Sequence, residues 1–423
     1  MTKTNIEAAG WSSDASRLNL RRRRRSETWL KGAGLVAISL AFLMLFTLVA
    51  SLFATGYQAF RQTHVTIEVT VPAEVTDPGD ANWRAIVREA VARLFPEAGD
   101  RELRGLSDIL SNGAQYIVRD RVSANLSLIG QTFEVKVPVS DPYDQLNKGL
   151  IDRATPEANR RVSDDEIAAF DQLVEAGRIT RPMNWALLTN VDSRFPELAG
   201  LKGALLGSFY ALLTCFVISF PIGIGAAIYL EEFAPKNRLS DIIEININNL
   251  AAVPSVVFGL LALAVFLNWF GLPRGAPFVG GLTLALMTLP TIIIATRAAL
   301  KAVPPSIREA ALGVGASKQQ VVFQHVLPLA MPGILTGTII GLAQALGETA
   351  PLLLIGMNAF ITAAPATPFE SATALPTQIF IWADSPERGF VSRTSAAILV
   401  LLGFLVLMNA LAIYLRNRFE RRW

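Results

Sequence analysis

The stretch Glu309-Ala310-Ala311-Leu312-Gly313-Val314-Gly315, followed after nine residues by His325-Val326-Leu327-Pro328, is a polar helix-turn-helix set between two long apolar runs. Ser306 stands three residues before Glu309, and Ser317 three before Gln320. Each pair predicts a capping box, in which hydroxyl and carboxylate or amide satisfy free backbone donors at the start of a short helix. Gly313 and Gly315 are expected to supply the turn. Ala310 and Ala311 keep one helix surface thin enough for another protein to approach, while Val321, Val322, Val326 and Leu327 give the second helix an apolar face. A polar elbow between two apolar spans reads as a handle to be gripped from one side of a membrane.

The rest of the chain fits a membrane protein. Hydrophobic residues make up 52% of it and charged ones 17%, and several apolar runs reach the roughly 20 residues a bilayer requires. Six spans are expected, near Ala33 to Ala54, Gly203 to Leu230, Leu250 to Phe270, Phe278 to Leu300, Met331 to Gly356 and Thr394 to Leu415. The first follows a basic segment and lacks a small-residue cleavage site, so it reads as a retained anchor. Basic residues orient the set. Arg21 to Arg25 and Lys31 precede span one, Lys236 and Arg238 follow span two, and Arg297, Lys301, Arg308 and Lys318 lie between spans four and five. Arg416, Arg418, Arg421 and Arg422 come at the end. With both termini in the cytoplasm all four groups face inward, as the positive-inside rule requires. An arginine run placed directly before an apolar span is assigned to orientation, not to binding nucleic acid.

Residues 61–200 are polar and fall outside the membrane in this topology. Alternation predicts strands at His64 to Val71 and Thr132 to Val139, and helices are expected at Ala81 to Leu94 and Ser163 to Ala176. The fold class is thus an all-α membrane core of six helices with a small α/β periplasmic domain inserted between helices one and two. The expected divisions are a basic tail at 1–32, a first transmembrane helix at 33–60, the periplasmic domain at 61–200 and a membrane core at 201–423 with its cytoplasmic elbow at 304–328. The inserted domain carries 16 Lys plus Arg against 22 Asp plus Glu, a net of minus six, so it does not read as an electrostatic collector of anions. Its expected role is a spacer or assembly surface, with a sensor or docking platform as the alternative. The single cysteine, Cys215, lies in a span and leaves this domain without a disulfide.

From Gly203 onward, Glu348 is the one acidic residue within an expected span. An ionisable side chain in a span is costly and usually faces a bundle interior or a water-filled path. Gln344 lies one turn earlier on the same face. Gly333, Gly337, Gly341 and Ala345 form a neighbouring row of small residues suited to close helix packing. Glu348 comes 17 residues after Met331, about 26 Å along a helix and so toward the outer half of the membrane.

The elbow resembles the coupling loop of ABC importer permeases, which reads Glu-Ala-Ala, three residues, Gly, nine residues, then Ile-x-Leu-Pro. Glu309, Ala310, Ala311, Gly315, Leu327 and Pro328 match, and His325 stands where the family has Ile. Gly347-Glu348-Thr349-Ala350-Pro351-Leu352-Leu353 is similar to a segment of phosphate ABC importer permeases, and Asn249 to Leu260 and Thr283 to Pro290 resemble the same family. The likeness covers most of Leu201 to Trp423 and is nearest to the A-type subunit. It implies that phosphate crosses by alternating access, with Glu348, Gln344, Thr349 and Ser255 on the pathway and the elbow docked into an ATPase. It also implies a second related permease, two ATPase subunits that hold ATP and Mg, and a periplasmic phosphate-binding protein. No cofactor is expected in this chain, which has no Gly-x-x-x-x-Gly-Lys-Ser/Thr loop for ATP. No metal site and no catalytic residue are expected either.

Departures from that family sharpen the question of the anion. Many relatives carry Arg where Gln344 stands, and some carry Arg at Ile294 and Glu at Arg297. Losing a buried Arg removes the obvious counter-charge, since Arg grips phosphate oxygens in a bidentate way. An ionised Glu348 accepts hydrogen bonds only, so it suits an oxyanion that keeps a proton, or else a cation of the partner permease. A permease for phosphonate, molybdate or sulfate is the alternative substrate reading. A membrane-anchored sensor would need a cytoplasmic signalling module, and an intramembrane hydrolase a paired catalytic set that one Glu with two distant histidines does not provide.

Overall fold

The computed structural model describes residues 14–75 and 77–419; the start of the basic tail, residues 1–13, and the terminal Arg421 and Arg422 lie outside them. The chain divides into two compact units, Met1–Ala54 and Thr55–Trp423. The described residues of the first unit lie in one helix, α1 (Asp14–Gly56), whose basic start gives way to an apolar run long enough to cross a membrane. Within it Lys31 reaches back one turn to Glu27 at 2.6 Å.

The second unit opens with an antiparallel sheet in the order β2-β1-β3. β1 (His64–Thr70) is the central strand, pairing β2 (Thr132–Pro138) along its whole length and β3 (Ile179–Thr180) at one end. Val65, Ile67 and Val69 alternate inward and are fully buried, as are Val135 and Val137 opposite them. Period-2 alternation thus sends one strand face into a core. That core is closed by α2 (Trp83–Leu94), α3 (Asp100–Ser107), α4 (Ala114–Ala124), α5 (Asp141–Asn147) and α6 (Asp164–Glu175). α6 begins at Ser163, whose hydroxyl accepts from the Glu166 N–H while Glu166 accepts from the Ser163 N–H. Both strands and both helices expected from the sequence in this region are present within two residues of their predicted ends.

After the short α7 (Ala186–Thr189) come the remaining helices: α8 (Lys202–Ile228), α9 (Arg238–Ala251), α10 (Ser255–Ala262), α11 (Pro277–Lys301), α12 (Pro305–Gly313), α13 (Lys318–Gln320), α14 (Leu327–Gly347), α15 (Ala350–Leu354), α16 (Leu375–Ala383) and α17 (Gly389–Phe419). Among the described residues five helices are long and apolar enough to cross a membrane, and six if one bent pair counts as a single span. The bent pair corrects the expected continuous span from Leu250 to Phe270. α9 and the helix from Ser255 to Trp269 meet at 100°, because Pro254 has no N–H to continue the ladder of α9 and its ring crowds the preceding turn. The expected span from Met331 to Gly356 is also interrupted, since α14 stops at Gly347 and only the five residues of α15 follow. Pro351 explains the stop: it cannot donate to the Gly347 carbonyl four residues back.

Small residues let these helices approach. A Cβ at Gly333 would lie 2.7 Å from Ala299 Cβ, and one at Gly337 would collide with Ala295 Cβ. The small-residue row of α14 therefore seats α11, as the spacing predicted. A Cβ at Gly223 of α8 would lie 2.7 Å from Ile292 of α11 on its other side.

The sheet domain is joined to the helices by a buried ionic junction. Arg393 of α17, 5% exposed, donates to the Ala199 carbonyl at 2.6 Å. Asp141, Asp144 and Glu197 are buried with it, and Arg161 pairs with Glu387 at 2.6 Å. Burial, reinforced by Glu197 and Asp144, pushes the Asp141 carboxyl up to about 6. Burial raises Glu197 as well.

Candidate functional site

Two places answer to the residues singled out by the sequence: the elbow around Glu309 and the helix break around Glu348. α12 starts at Pro305, not at a Ser306 cap, and its N-cap, Pro304, makes no side-chain hydrogen bond. The expected first capping box is therefore absent. A proline at the first helical position needs no donor and already holds the helical φ, so two prolines start the helix two residues early. The second box is formed: Ser317 N–H donates to Gln320 Oε1 at 2.8 Å and Gln320 N–H to Ser317 Oγ at 3.3 Å. Gly313 is the last residue of α12, and Gly315, at φ +87°, alone makes the left-handed turn. Beyond α13 the chain widens into one π-helical stretch, Val321–Val326, before α14. Pro328 lacks an N–H for the Gln324 carbonyl, which favours that wider turn.

The elbow has an inner and an outer surface. Ala311, Val321, Val322 and Val326 are buried against Ile228 of α8 and Leu300 of α11, with Leu327 partly buried beside them. Of the two alanines, then, only Ala310 lies on the exposed surface. Glu309 and His325 are exposed too, so His325 displaces no apolar contact within this chain. Leu312 and Phe323 are half exposed, and Val314 is 86% exposed at the tip. Pro328 is partly buried at the base.

What holds the elbow is a guanidinium the motif reading did not single out. Arg308 donates to Glu232 Oε1 from Nη2 at 2.8 Å and from Nε at 3.3 Å. Its Nη1 also donates to the Val303 carbonyl at 2.8 Å and Nη2 to the Leu300 carbonyl at 2.9 Å. One side chain thus ties α12 to the end of α11 and to the π-helical turn Tyr229–Phe233 that closes α8. Next to it Arg297 reaches Glu244 at 2.8 Å and Glu231 at 3.3 Å, Lys301 reaches Glu231 at 3.5 Å, and Lys318 sits over the Phe233 ring at 5.2 Å. The signal was present in Glu231-Glu232, two acids at the end of an apolar run otherwise flanked by bases, though nothing local names their partners.

At the second place, Glu348 is the C-cap of α14 at φ −75°, ψ 125°. Its near-helical φ keeps it in line with Gln344, while ψ turns the chain away. Glu348 and Thr349 are partly buried and Gln344 is exposed. Ser255, partly buried, opens α10 directly after the bend at Pro254. α10 and α15 touch closely, for a Cβ on Gly259 would lie 2.7 Å from Pro351 Cα and 2.8 Å from Leu354 Cδ1. Each of these packed helices starts at a break, α10 at Pro254-Ser255 and α15 at Glu348-Thr349. Among the described residues none of these four side chains hydrogen-bonds another. No group of three or more metal-ligating side chains occurs among the described residues.

Residues 219–423 match the family described as the binding-protein-dependent transport system inner membrane component, and residues 17–157 match a domain of unknown function, DUF3333. The phosphate transport system permease protein PstA of Yersinia pestis is 34% identical over 54% of this chain and 77% of its own length. PstA 1 of Mycobacterium tuberculosis (strain CDC 1551 / Oshkosh) is 32% identical over 53% of this chain and 72% of its own. The probable ABC transporter permease protein YqgI of Bacillus subtilis (strain 168) is 29% identical over 52% and 79%. Among solved structures, a chain of the MetNI methionine ABC transporter overlaps 52% of this chain and 95% of its own at 18% identity and a TM-score of 0.42. With a relative 34% identical across three quarters of its length, the chain belongs to the binding-protein-dependent transport permeases, in their PstA-like branch.

Proposed function

We propose that this chain is the PstA-like permease subunit of an ATP-driven importer that moves inorganic phosphate across the bacterial inner membrane by alternating access. The observation that carries the reading is the elbow, an exposed Glu309, Leu312 and Val314 on a helix pinned through Arg308 to the ends of two long apolar helices. A pull on such a handle moves α8 and α11 together.

In this reading both termini and the elbow at 304–328 are cytoplasmic, the domain at 61–200 is periplasmic, and 33–60 and 201–423 form six spans with the bent pair as one. Two PstB-like ATPase subunits hold ATP and Mg and grip the elbow, a PstC-like permease completes the pore, and a PstS-like binding protein delivers phosphate. This chain's own part is positional. Its two helix breaks leave Ser255, Thr349 and backbone amides as neutral donors, and Glu348 as an acceptor for the proton that phosphate keeps near neutral pH. Fully deprotonated sulfate offers no such donor, which is the chemical ground for preferring phosphate to that oxyanion.

The test is ATP-dependent uptake of radiolabelled phosphate into vesicles containing this chain, its partner permease, ATPase and binding protein. Glu309→Lys and Val314→Asp should assemble and abolish uptake. Wild-type uptake in both variants would refute the elbow as the point of coupling, and uptake of another oxyanion in place of phosphate would refute the substrate.

A further inference from the structure

The sheet domain contains a cationic cavity that its overall charge conceals. Between α2, α3 and α4 lies a polar cavity of about 730 Å³ lined by Arg84, Arg88 and Arg104 together with Asp108, Asn112 and Gln115. Arg84 and Arg88 stand one helical turn apart on α2 and so repel one another across that turn. Arg104 joins them from α3.

Among the described residues Arg88 and Arg104 have no ion pair and no hydrogen bond, and Arg84 has only an electrostatic interaction with Asp108. The acids just outside the wall have other partners: Glu89 pairs with Arg93 at 2.7 Å, Glu102 accepts from the Gly99 N–H at 3.1 Å, and Glu166, close enough to Asp108 to raise its carboxyl, accepts from the Ser163 N–H at 2.8 Å. Three guanidiniums therefore face one carboxylate, a local excess of positive charge inside a domain with 16 basic and 22 acidic residues. The side-chain amides of Asn112 and Gln115 line the same wall and have no partner among the described residues. A concave wall of forked donors with no internal acceptor suits an anion with several oxygens.

We propose that this cavity binds a tetrahedral oxyanion of the phosphate class, either free or as the terminal group of a larger phosphorylated solute. The site is independent of the transport pathway at Glu348. It is also wired to the helices. Ser111, on the cavity floor, donates to Glu197 Oε1 at 2.8 Å, and Glu197 lies two residues before Ala199, the acceptor of Arg393. Occupancy is one hydrogen bond away from the junction where the domain meets α17 and the start of α8.

The experiment is calorimetric titration of the solubilised full-length chain, free of ATPase and binding protein, at constant ionic strength. The probes are inorganic phosphate, sulfate and pyrophosphate, applied to wild type, Arg88→Gln/Arg104→Gln and Arg84→Gln. Saturable binding is expected, weakened about tenfold for each guanidinium removed, with unchanged thermal unfolding because all three side chains are exposed. Tighter binding of pyrophosphate than of phosphate would assign the cavity to a phosphorylated solute, and the reverse to the free ion. Absence of saturable binding by all three probes overturns the proposal, as does an isotherm unchanged in both variants. Wild-type binding with no uptake in the assembled transporter would count against the transport reading alone.

Discussion

Arg308 makes the sharpest mechanical prediction. Its guanidinium, 23% exposed, faces a Glu232 that is only 11% exposed, and it also caps two carbonyls at the end of α11. Exchange for methionine keeps the apolar stem and removes every one of those bonds. A hydrogen bond to a charged group contributes about 1.5–3 kcal/mol net. Removing one partner of a fully buried pair costs about 3–5 kcal/mol, whereas an exposed pair contributes at most about 1 kcal/mol. A site between those limits sets the expected cost at about 2–3 kcal/mol, most of it from stranding the Glu232 carboxylate. Arg308→Met, Glu232→Gln and the double variant should be compared by thermal unfolding and by uptake in the assembled transporter. The two single changes should each loosen the elbow and uncouple ATP hydrolysis from uptake. The double change should cost clearly less than their sum, because the stranded charge is gone. Additive costs, or full coupling in Arg308→Met, would refute the idea that this residue transmits the pull.

Three further outcomes follow from the geometry. Gly337→Ala should push α14 off α11 at a cost of about 1–3 kcal/mol, and Ala295→Gly in the same chain should restore stability by removing the carbon it meets; no rescue in thermal unfolding would show that the helices do not touch there. The Asp141 carboxyl is raised from 3.8 to about 6, so burial penalises its ionised form. Its contribution to stability is therefore lost as pH rises from about 4 to about 6, by about 3 kcal/mol, and is flat above that. Asp141→Asn should flatten the slope in a pH series of unfolding midpoints, leaving the part that the raised Glu197 carboxyl contributes, and a slope unchanged by the substitution would place the titration elsewhere. Glu348→Gln should slow phosphate uptake or relax its preference over sulfate; wild-type rate and selectivity would remove Glu348 from the pathway.

Much of the site was legible because its signals are local. The second capping box at Ser317 and Gln320, the turn at Gly315 and the alternation of Val65, Ile67 and Val69 each depend on residues a few positions apart, and each appears as read. The misreadings were also local in origin. The two prolines before Ser306 override its capping pattern, and hydropathy runs straight through Pro254 and Pro351 because it ignores a missing N–H. Hydropathy marks what a bilayer tolerates, while backbone donors decide where a helix ends.

By itself, then, the sequence determined the elbow, the small-residue face of α14 and the strands of the sheet, since periodicity and capping act over one or two turns. Only the tertiary structure decided which carboxylate holds Arg308, a partner 76 positions away. It alone seated Gly259 of α10 on Pro351 of α15 and gathered Arg84, Arg88 and Arg104 around one cavity in a domain of net negative charge. Pairings of that kind are chosen by the packing of whole helices, and no local pattern of residues records them.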